Sequence, residues 1–67
     1  MANDLVSVIM PVFNAQKFVS EAINSVLDQS YQNFELIIVD DASTDESLTR
    51  IREFNDKRIR YVRLKEN

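Results

Sequence analysis

The sequence predicts a small α/β domain in which three parallel strands alternate with two helices. Two short runs, residues 5–10 and 34–39, are apolar and largely β-branched, and they lack the polar alternation of a strand with one wet face. A segment with helical periodicity follows each run. Elements that alternate in this way favour right-handed crossovers and a parallel sheet. We therefore predict the order β-α-β-α-β in one domain.

The first strand is predicted over Leu5–Met10, the run LVSVIM. Pro11 has no amide hydrogen to donate to a neighbouring strand, so the chain is predicted to leave the sheet there. Apolar residues then recur at helical spacing from Phe18 to Leu27 and form the stripe of an amphipathic helix. Asn14 is the predicted N-cap of that helix.

The central strand is predicted to begin at Phe34 and to stop at two carboxylates, Asp40 and Asp41. Its nearly continuous apolar run indicates a strand covered on both faces. Ser43 and Glu46 have the spacing of a capping box, in which each side chain bonds an amide at the start of a helix. The second helix is therefore predicted to follow the acidic loop directly.

A second helix and a third strand complete the predicted unit. Apolar residues at helical spacing between positions 48 and 54 form the inner stripe of a helix that ends near Asn55. The third strand is predicted over residues 59–64. Arg60 and Arg63 interrupt its apolar run and indicate a place near the edge of the sheet.

The composition excludes several kinds of site. The chain contains no glycine, cysteine or histidine. A Gly-rich phosphate loop, a disulfide, a thiolate metal site and a histidine base are therefore excluded within it. The apolar runs, of roughly six residues, are too short to span a bilayer, and no charged N-terminal segment precedes a long apolar one. We expect a cytoplasmic location and leave open whether a larger parent protein associates with a membrane.

The net charge of −3 is unevenly distributed along the chain. Residues 1–49 carry one basic and eight acidic side chains, whereas residues 50–67 carry seven basic and three acidic ones. A basic segment can bind nucleic acid, but the interleaved acidic residues favour a solvated surface. We therefore expect no nucleic-acid partner.

The loops after the first two strands carry the candidate binding residues, because ligands of parallel sheets lie beyond the carboxyl ends of the strands. The first loop is formed by Pro11, Val12, Phe13 and Asn14, and the second by Asp40, Asp41, Ala42 and Ser43. An aromatic ring can stack on a nucleobase while a carboxylate accepts a hydrogen bond from a ring N–H, such as N3 of uracil. The two loops therefore predict a nucleotide pocket.

Simpler roles for the same residues stay open. Phe13 could cover the end of the first helix. Asp40 could accept hydrogen bonds from turn amides, and Asp41 could act as a favourable charge near the start of a helix.

Two stretches, VSVIMPVFNA and SVLDQSYQNFELIIVDDASTDES, resemble the N-terminal segment of family 2 glycosyltransferases, enzymes of the GT-A fold that use nucleotide-sugar donors. The likeness runs from Leu5 to about Leu64. It implies that residues 1–67 are the Rossmann-like, nucleotide-binding part of a GT-A domain. The implied activity is inverting transfer of a hexosyl group from a nucleotide sugar, expected to be a UDP-sugar, to an acceptor hydroxyl.

The resemblance also implies roles for individual residues. The loop from Pro11 to Asn14 lines the nucleotide pocket, with Phe13 against the base in place of the commoner tyrosine. Asp41 contacts the uracil-type base and Asp40 supports the loop. Ala42 stands where glycine is usual, which implies either a negative φ or a modest strain cost.

Other parts of the resembled family do not occur in this sequence. Family members continue with a fourth strand, whose acidic motif holds Mn²⁺ or Mg²⁺ on the donor diphosphate, and later supply an aspartate base. We therefore expect no catalytic residue, no metal ligand and no transfer activity in this chain alone. Its expected partners are a nucleotide-sugar donor, an unknown sugar or glycan acceptor and, through the bare first strand, a second copy.

Two other functional classes stay open. A noncatalytic or truncated α/β module would keep the fold without the activity. A receiver-like signalling domain also carries acidic residues at the ends of parallel strands. Its acidic pair, however, follows the first strand, where this sequence has Pro-Val-Phe-Asn.

Overall fold

The computed structural model describes residues 4–65 and confirms the predicted order of elements. These are β1 (Val6–Val12), α1 (Val19–Leu27), β2 (Phe34–Asp40), α2 (Ser47–Arg52) and β3 (Ile59–Arg63). The three strands form one parallel sheet in the order β1-β2-β3. β2 is therefore the central strand, as predicted.

The core lies between the two helices and one face of the sheet. Its buried members come from all but the last element: Val12, Val19, Ile23, Phe34, Leu36, Ile38 and Ile51. Alternate residues of β2 are fully buried, and the residues between them are only partly buried. Both helices therefore cover the same face, as expected when two right-handed crossovers proceed in one direction across a sheet.

The other face of the sheet is open, so the prediction that both faces of β2 are covered is wrong for the described residues. This open face consists of Ser7, Ile9 and Pro11 from β1, Glu35, Ile37 and Val39 from β2, and Arg60 and Val62 from β3. Ile9 is 58% exposed. The β-branched run of β2 also agrees with the general preference of such residues for a pleated sheet.

Pro11 lies within β1 instead of ending it, which corrects the predicted boundary. The amide of Val6 donates to the carbonyl of Asn33, and the carbonyl of Val12 accepts from the amide of Asp41. These bonds direct the backbone groups of residues 6, 8, 10 and 12 toward β2, and those of residues 7, 9 and 11 toward the outer edge. Pro11 therefore occupies a position where pairing with β2 requires no N–H.

α1 begins at Val19, and its N-cap is Phe18 rather than the predicted Asn14. A turn before the helix explains the difference, because the carbonyl of Ala15 accepts hydrogen bonds from the amides of Phe18 and Val19 at 2.9 and 2.8 Å. No side chain caps the helix. Between residues 4 and 65, no helix is long and apolar enough to cross a membrane.

Three other boundaries differ slightly from the prediction. α2 ends at Arg52 rather than near Asn55, β3 ends at Arg63 rather than Leu64, and β2 extends to include Asp40. The last difference bears on function. As the final strand residue, Asp40 points its side chain to the buried face of the sheet instead of into the loop.

The basic C-terminal segment lies largely at the surface, and several of its cations are paired with acidic side chains. Arg58 bonds Asp56 at 2.8 Å, and Arg60 bonds Glu35 at 3.0 Å. This arrangement agrees with the interleaved, solvated surface predicted for residues 50–65. Positions 66 and 67 lie outside the described residues.

We expect Ile38→Ala to lower the free energy of unfolding by about 2–5 kcal/mol, because the truncation leaves a cavity in the packed core. Ile9→Ala is the matched control, since it removes the same atoms from an exposed side chain on the open face. Chemical denaturation followed by circular dichroism measures both. Similar losses in the two variants would contradict the assignment of the buried face.

We also expect the 67-residue chain to associate with itself through β1. Ser7 and Ile9 direct backbone groups away from β2, and no charged side chain lies between Asp4 and Lys17 to oppose strand pairing. Sedimentation velocity should show dimers or larger species, and Ile9→Lys should shift them toward monomer. Val62→Lys, with the same charge on β3, should not. A dispersed wild-type monomer would contradict pairing through β1.

Candidate functional site

Two loops lie side by side at the carboxyl ends of β1 and β2. The amide of Asp41 donates to the carbonyl of Val12 at 2.8 Å, which joins the loops where they leave the strands. Phe13 follows Val12 directly, so its ring and the carboxylate of Asp41 belong to adjoining backbone segments. Phe13 is 55% exposed and Asp41 is partly exposed. Both residues predicted to contact a base are therefore accessible to a ligand.

Hydrogen bonds between the loops hold them in a fixed register. Five of these bonds join residues 14–16, after β1, to residues 43–47, which include the start of α2. In each of them a backbone amide on one side donates to a side-chain oxygen on the other. The pairs are Asn14 to Ser43 at 2.9 Å, Ala15 to Ser47 at 2.9 Å, Gln16 to Asp45 at 3.1 Å, Thr44 to Asn14 at 2.8 Å and Glu46 to Gln16 at 2.8 Å. Side chains therefore satisfy the amides that a glycine-rich turn would leave for a ligand.

The predicted capping box of Ser43 and Glu46 does not form. Glu46 is the N-cap of α2 and makes no side-chain cap bond, while its amide donates to Gln16. The hydroxyl of Ser43 accepts from the amide of Asn14 instead. Because α2 starts only at Ser47, Ser43 lies too far ahead of the first turn to cap it.

Pro11, Val12 and Asn14, three of the predicted site residues, have identifiable structural roles. Pro11 is exposed on the open face at the end of β1, and buried Val12 supplies the carbonyl that binds the Asp41 amide. The side-chain oxygen of Asn14 accepts from the amide of Thr44. These contacts shape the first loop, whether or not a ligand is bound.

Asp40 is fully buried, and hydrogen bonds within the protein occupy both of its carboxylate oxygens. One oxygen accepts from the amide of Ser43 at 3.0 Å, and the other accepts from the hydroxyl of Tyr61 at 2.8 Å. Burial by itself would raise the pKa of Asp40, but interactions with the side chain of Ser43, the hydroxyl of Tyr61, the amide of Ser43 and the charge of Arg63 bring the pKa below its usual value. The bond to a turn amide, one of the simpler roles considered for Asp40, is therefore present.

β3 contributes two residues that the sequence analysis did not assign to the site. Tyr61 donates to Asp40, and a guanidinium nitrogen of Arg63 donates to the carbonyl of Ser43 at 2.9 Å. The available signal was the two-residue alternation of a strand, which places residues 61 and 63 on the face where Asp40 lies. That signal becomes useful only once the register, in which Asp40 pairs with Arg63, is known.

Ala42 has a left-handed backbone with φ of 60°. Of the two outcomes considered for an alanine at this position, the structure therefore shows the strained one, since the left-handed region costs an L-residue about 1–2 kcal/mol. Asn14 also has a positive φ, 48°, which asparagine tolerates better than most residues. Each loop thus contains one left-handed residue without the use of glycine.

A shallow apolar cavity of about 80 Å³ lies beside the first loop, between the end of β1 and the start of α1. Its lining consists of Met10, Pro11, Val12, Ala15, Phe18, Val19 and Ala22. None of these side chains can donate a hydrogen bond to a base or balance a phosphate charge. The cavity therefore shares Pro11 and Val12 with the predicted site but offers a ligand only apolar contacts.

The described residues do not fit the metal ion that the family resemblance implies. Between residues 4 and 65, no group of three or more acidic side chains could hold a cation. Asp40 already binds Ser43 and Tyr61, and Asp45 binds the amides of Gln16 and Ser47. A cation at these loops would therefore meet one available carboxylate of the acidic pair, Asp41, which is too few for a Mn²⁺ or Mg²⁺ site.

The chain thus forms a parallel α/β segment with a candidate ligand site at the carboxyl edge of its sheet. Residues 7–67 match the family described as Glycosyl transferase family 2. The chain therefore belongs to glycosyltransferase family 2, as its resemblance to that family predicted.

Individual relatives agree with this assignment. The chain is 53% identical over 53 residues to an uncharacterized glycosyltransferase of Haemophilus influenzae, covering 79% of this chain and 21% of the relative. It is 47% identical over 62 residues to the UDP-Glc:alpha-D-GlcNAc-diphosphoundecaprenol beta-1,3-glucosyltransferase WfgD of Escherichia coli, covering 92% and 24%. It is also 47% identical over 45 residues to glycosyltransferase GlyG of Streptococcus pneumoniae, covering 67% and 15%. The chain thus spans a quarter or less of the length of each of these relatives.

We expect Ala42→Gly to raise the free energy of unfolding by up to about 1 kcal/mol. Glycine removes the left-handed strain but loses about 0.5–1 kcal/mol through the freedom of the unfolded chain. Ala22→Gly, the same change inside α1, should lower the free energy of unfolding by about 1 kcal/mol. Denaturant titration measures both, and equal losses would contradict the left-handed backbone at Ala42.

Proposed function

We propose that this chain is the donor-nucleotide-binding segment of an inverting glycosyltransferase that transfers a sugar from a UDP-sugar to an acceptor hydroxyl. One observation carries the proposal. The exposed ring of Phe13 and the carboxylate of Asp41 lie on two loops that hydrogen bonds of Val12 and Asn14 hold together. The loops are therefore already in place before a ligand arrives.

The chemistry of the two exposed side chains suits uracil. A base that stacks on Phe13 gains an aromatic contact, which every nucleobase can make. The carboxylate of Asp41 accepts hydrogen bonds only, so it favours a base with an N–H at the edge that faces it. N3 of uracil carries such a hydrogen, whereas N3 of cytosine is an acceptor and would be repelled. Asp41 would thus select uridine over cytidine nucleotides.

The fixed register of the loops supports binding in a second way. Ordering a flexible loop around a ligand costs free energy that reduces affinity. Here the amides of residues 14–16, 43, 44, 46 and 47 are already bonded to side-chain oxygens. A nucleotide would therefore bind to a preorganised edge.

The name of one relative supports a uridine nucleotide. WfgD of Escherichia coli, 47% identical to this chain, is named for UDP-Glc. We extend only the uridine part of that donor to this chain, because Phe13 and Asp41 are proposed to contact the base and not the sugar.

The transfer step requires more than a nucleotide-binding edge. Inverting transfer needs a base to take the proton of the acceptor hydroxyl and a counter-charge for the departing diphosphate, which Mn²⁺ or Mg²⁺ would supply. We propose that the base and the metal ligands belong to parts of the protein outside these 67 residues. The role of this segment is to hold the donor nucleotide.

We expect Asp41→Ala to weaken UDP binding about 10- to 150-fold, because it removes a hydrogen bond to a charged group worth about 1.5–3 kcal/mol. Asp28→Ala, the same change at the far end of α1, is the control and should leave the affinity unchanged. Isothermal titration calorimetry measures both, and CDP should bind the wild-type chain more weakly than UDP. Unchanged UDP affinity in Asp41→Ala would reduce Asp41 to a loop carboxylate.

We expect the chain alone to have no glycosyl transfer activity, because it lacks both the base and the metal ligands. Release of UDP from UDP-glucose should stay at the buffer rate with Mn²⁺ present, even where calorimetry shows that UDP binds. Metal-dependent turnover would contradict the placement of the catalytic groups elsewhere in the protein.

A further inference from the structure

We infer that Tyr61 and Arg63 of β3 are positioning residues of the nucleotide site. They hold Asp41 in place indirectly, because they bond Asp40 before it and Ser43 after it. The inference rests on the proposed nucleotide binding. The side chains of Tyr61 and Arg63 bond Asp40 and Ser43 and not Asp41. Their effect on a ligand would therefore be indirect.

Tyr61 secures the strand side of the acidic loop. Its hydroxyl donates at 2.8 Å to the carboxylate oxygen of Asp40 that Ser43 does not use. In addition, the amide of Leu64 donates to the carbonyl of Asp40 at 2.8 Å. Because Asp40 is fully buried, an unpartnered carboxylate oxygen there would have to turn toward another donor. Loss of the Tyr61 hydroxyl would thus disturb the hydrogen bond that the amide of Ser43 donates to Asp40.

Arg63 secures the helix side of the same loop. Its guanidinium donates to the carbonyl of Ser43 at 2.9 Å, while the amide of Ser43 binds Asp40 and its hydroxyl accepts from Asn14. Ser43 therefore joins β3, β2 and the first loop through three different groups. A shift of Ser43 would reach both loops at once.

A shift of Asp40 or Ser43 would mainly affect the short segment between them. It consists of Asp41 and Ala42, and Ala42 is held in the left-handed region. The backbone of Asp41 makes one cross-loop bond, to the carbonyl of Val12. A strained segment of two residues keeps its shape only while both ends are held, so β3 controls where the Asp41 carboxylate points.

Two variants test this role, each with a matched control in the same chain. Tyr61→Phe removes only the hydroxyl that binds Asp40, and Tyr31→Phe removes the hydroxyl that binds the carbonyl of Asp4 at the opposite end of the sheet. Arg63→Gln removes the guanidinium that binds Ser43. Its control, Arg60→Gln, changes the same residue type on the open face of the same strand.

Three measurements on each folded variant separate the possibilities: UDP affinity, uridine affinity and hydrogen exchange of the Ser43 amide, all by NMR. We expect Tyr61→Phe and Arg63→Gln to weaken UDP and uridine equally, by about three- to tenfold, the effect of one hydrogen bond. Exchange at Ser43 should rise by a similar factor. The controls should match the wild type.

Each contrary result has a definite meaning. Weakening of UDP but not of uridine by Arg63→Gln would overturn the inference for Arg63, because it indicates direct contact with phosphate. Unchanged affinity and exchange in both variants would overturn it entirely. If the wild-type chain binds neither ligand, the proposed function fails, and Ser43 exchange alone decides whether β3 holds the loop. If Tyr61→Phe does not fold, the exposed Arg63 still provides the test.

Discussion

The carboxyl edge of this sheet depends on one buried charge. Asp40 ends the central strand with no solvent exposure, and a carboxylate in that setting must be fully bonded or give up its charge. Here the amide of Ser43 and the hydroxyl of Tyr61 satisfy both oxygens, and Arg63 lies nearby. Those partners come from the acidic loop and from β3. The hydrogen bonds of this one side chain therefore set the relative positions of two strands and a loop.

The absence of glycine makes side chains responsible for the shape of both loops. A glycine-rich turn can present its amides to a phosphate, but here most of the loop amides bind Ser, Asp, Asn and Gln oxygens of the neighbouring loop. Among the described residues, no buried side-chain nitrogen or oxygen lacks a hydrogen-bond partner. At this edge Phe13 is exposed and Asp41 is partly exposed, and these are the two residues that we propose to contact a base. Such an edge suits the binding of a flat, hydrogen-bonding base better than the binding of phosphate.

The sheet itself is one-sided in the described residues. One face packs on both helices and supplies the core, while the other exposes Ile9, Val62 and their neighbours. The chain belongs to glycosyltransferase family 2 and spans about a fifth to a quarter of the length of four relatives that it matches. In the described residues the core is a single layer between one face of the sheet and the two helices.

The sequence by itself determined the order of the elements and the two loops that meet at the carboxyl edge. Those properties follow from local periodicity and from the handedness of crossovers, which nearby residues encode. Phe13, Asp40 and Asp41 could be chosen as candidates for the same reason, since they directly follow or end a strand.

Only the tertiary structure decided which candidate residues hydrogen-bond within the protein and which are exposed. Strand register brought Tyr61 and Arg63 to Asp40 and Ser43 from about twenty residues away, and no local pattern encodes that distance. The same is true of Ser43, whose spacing to Glu46 indicated a cap but whose hydroxyl serves the other loop. Hydrogen bonds to residues distant in the sequence replaced the local ones that the capping motif implies. Asp40 and Ser43 are buried, so water cannot serve as an alternative partner for their polar groups.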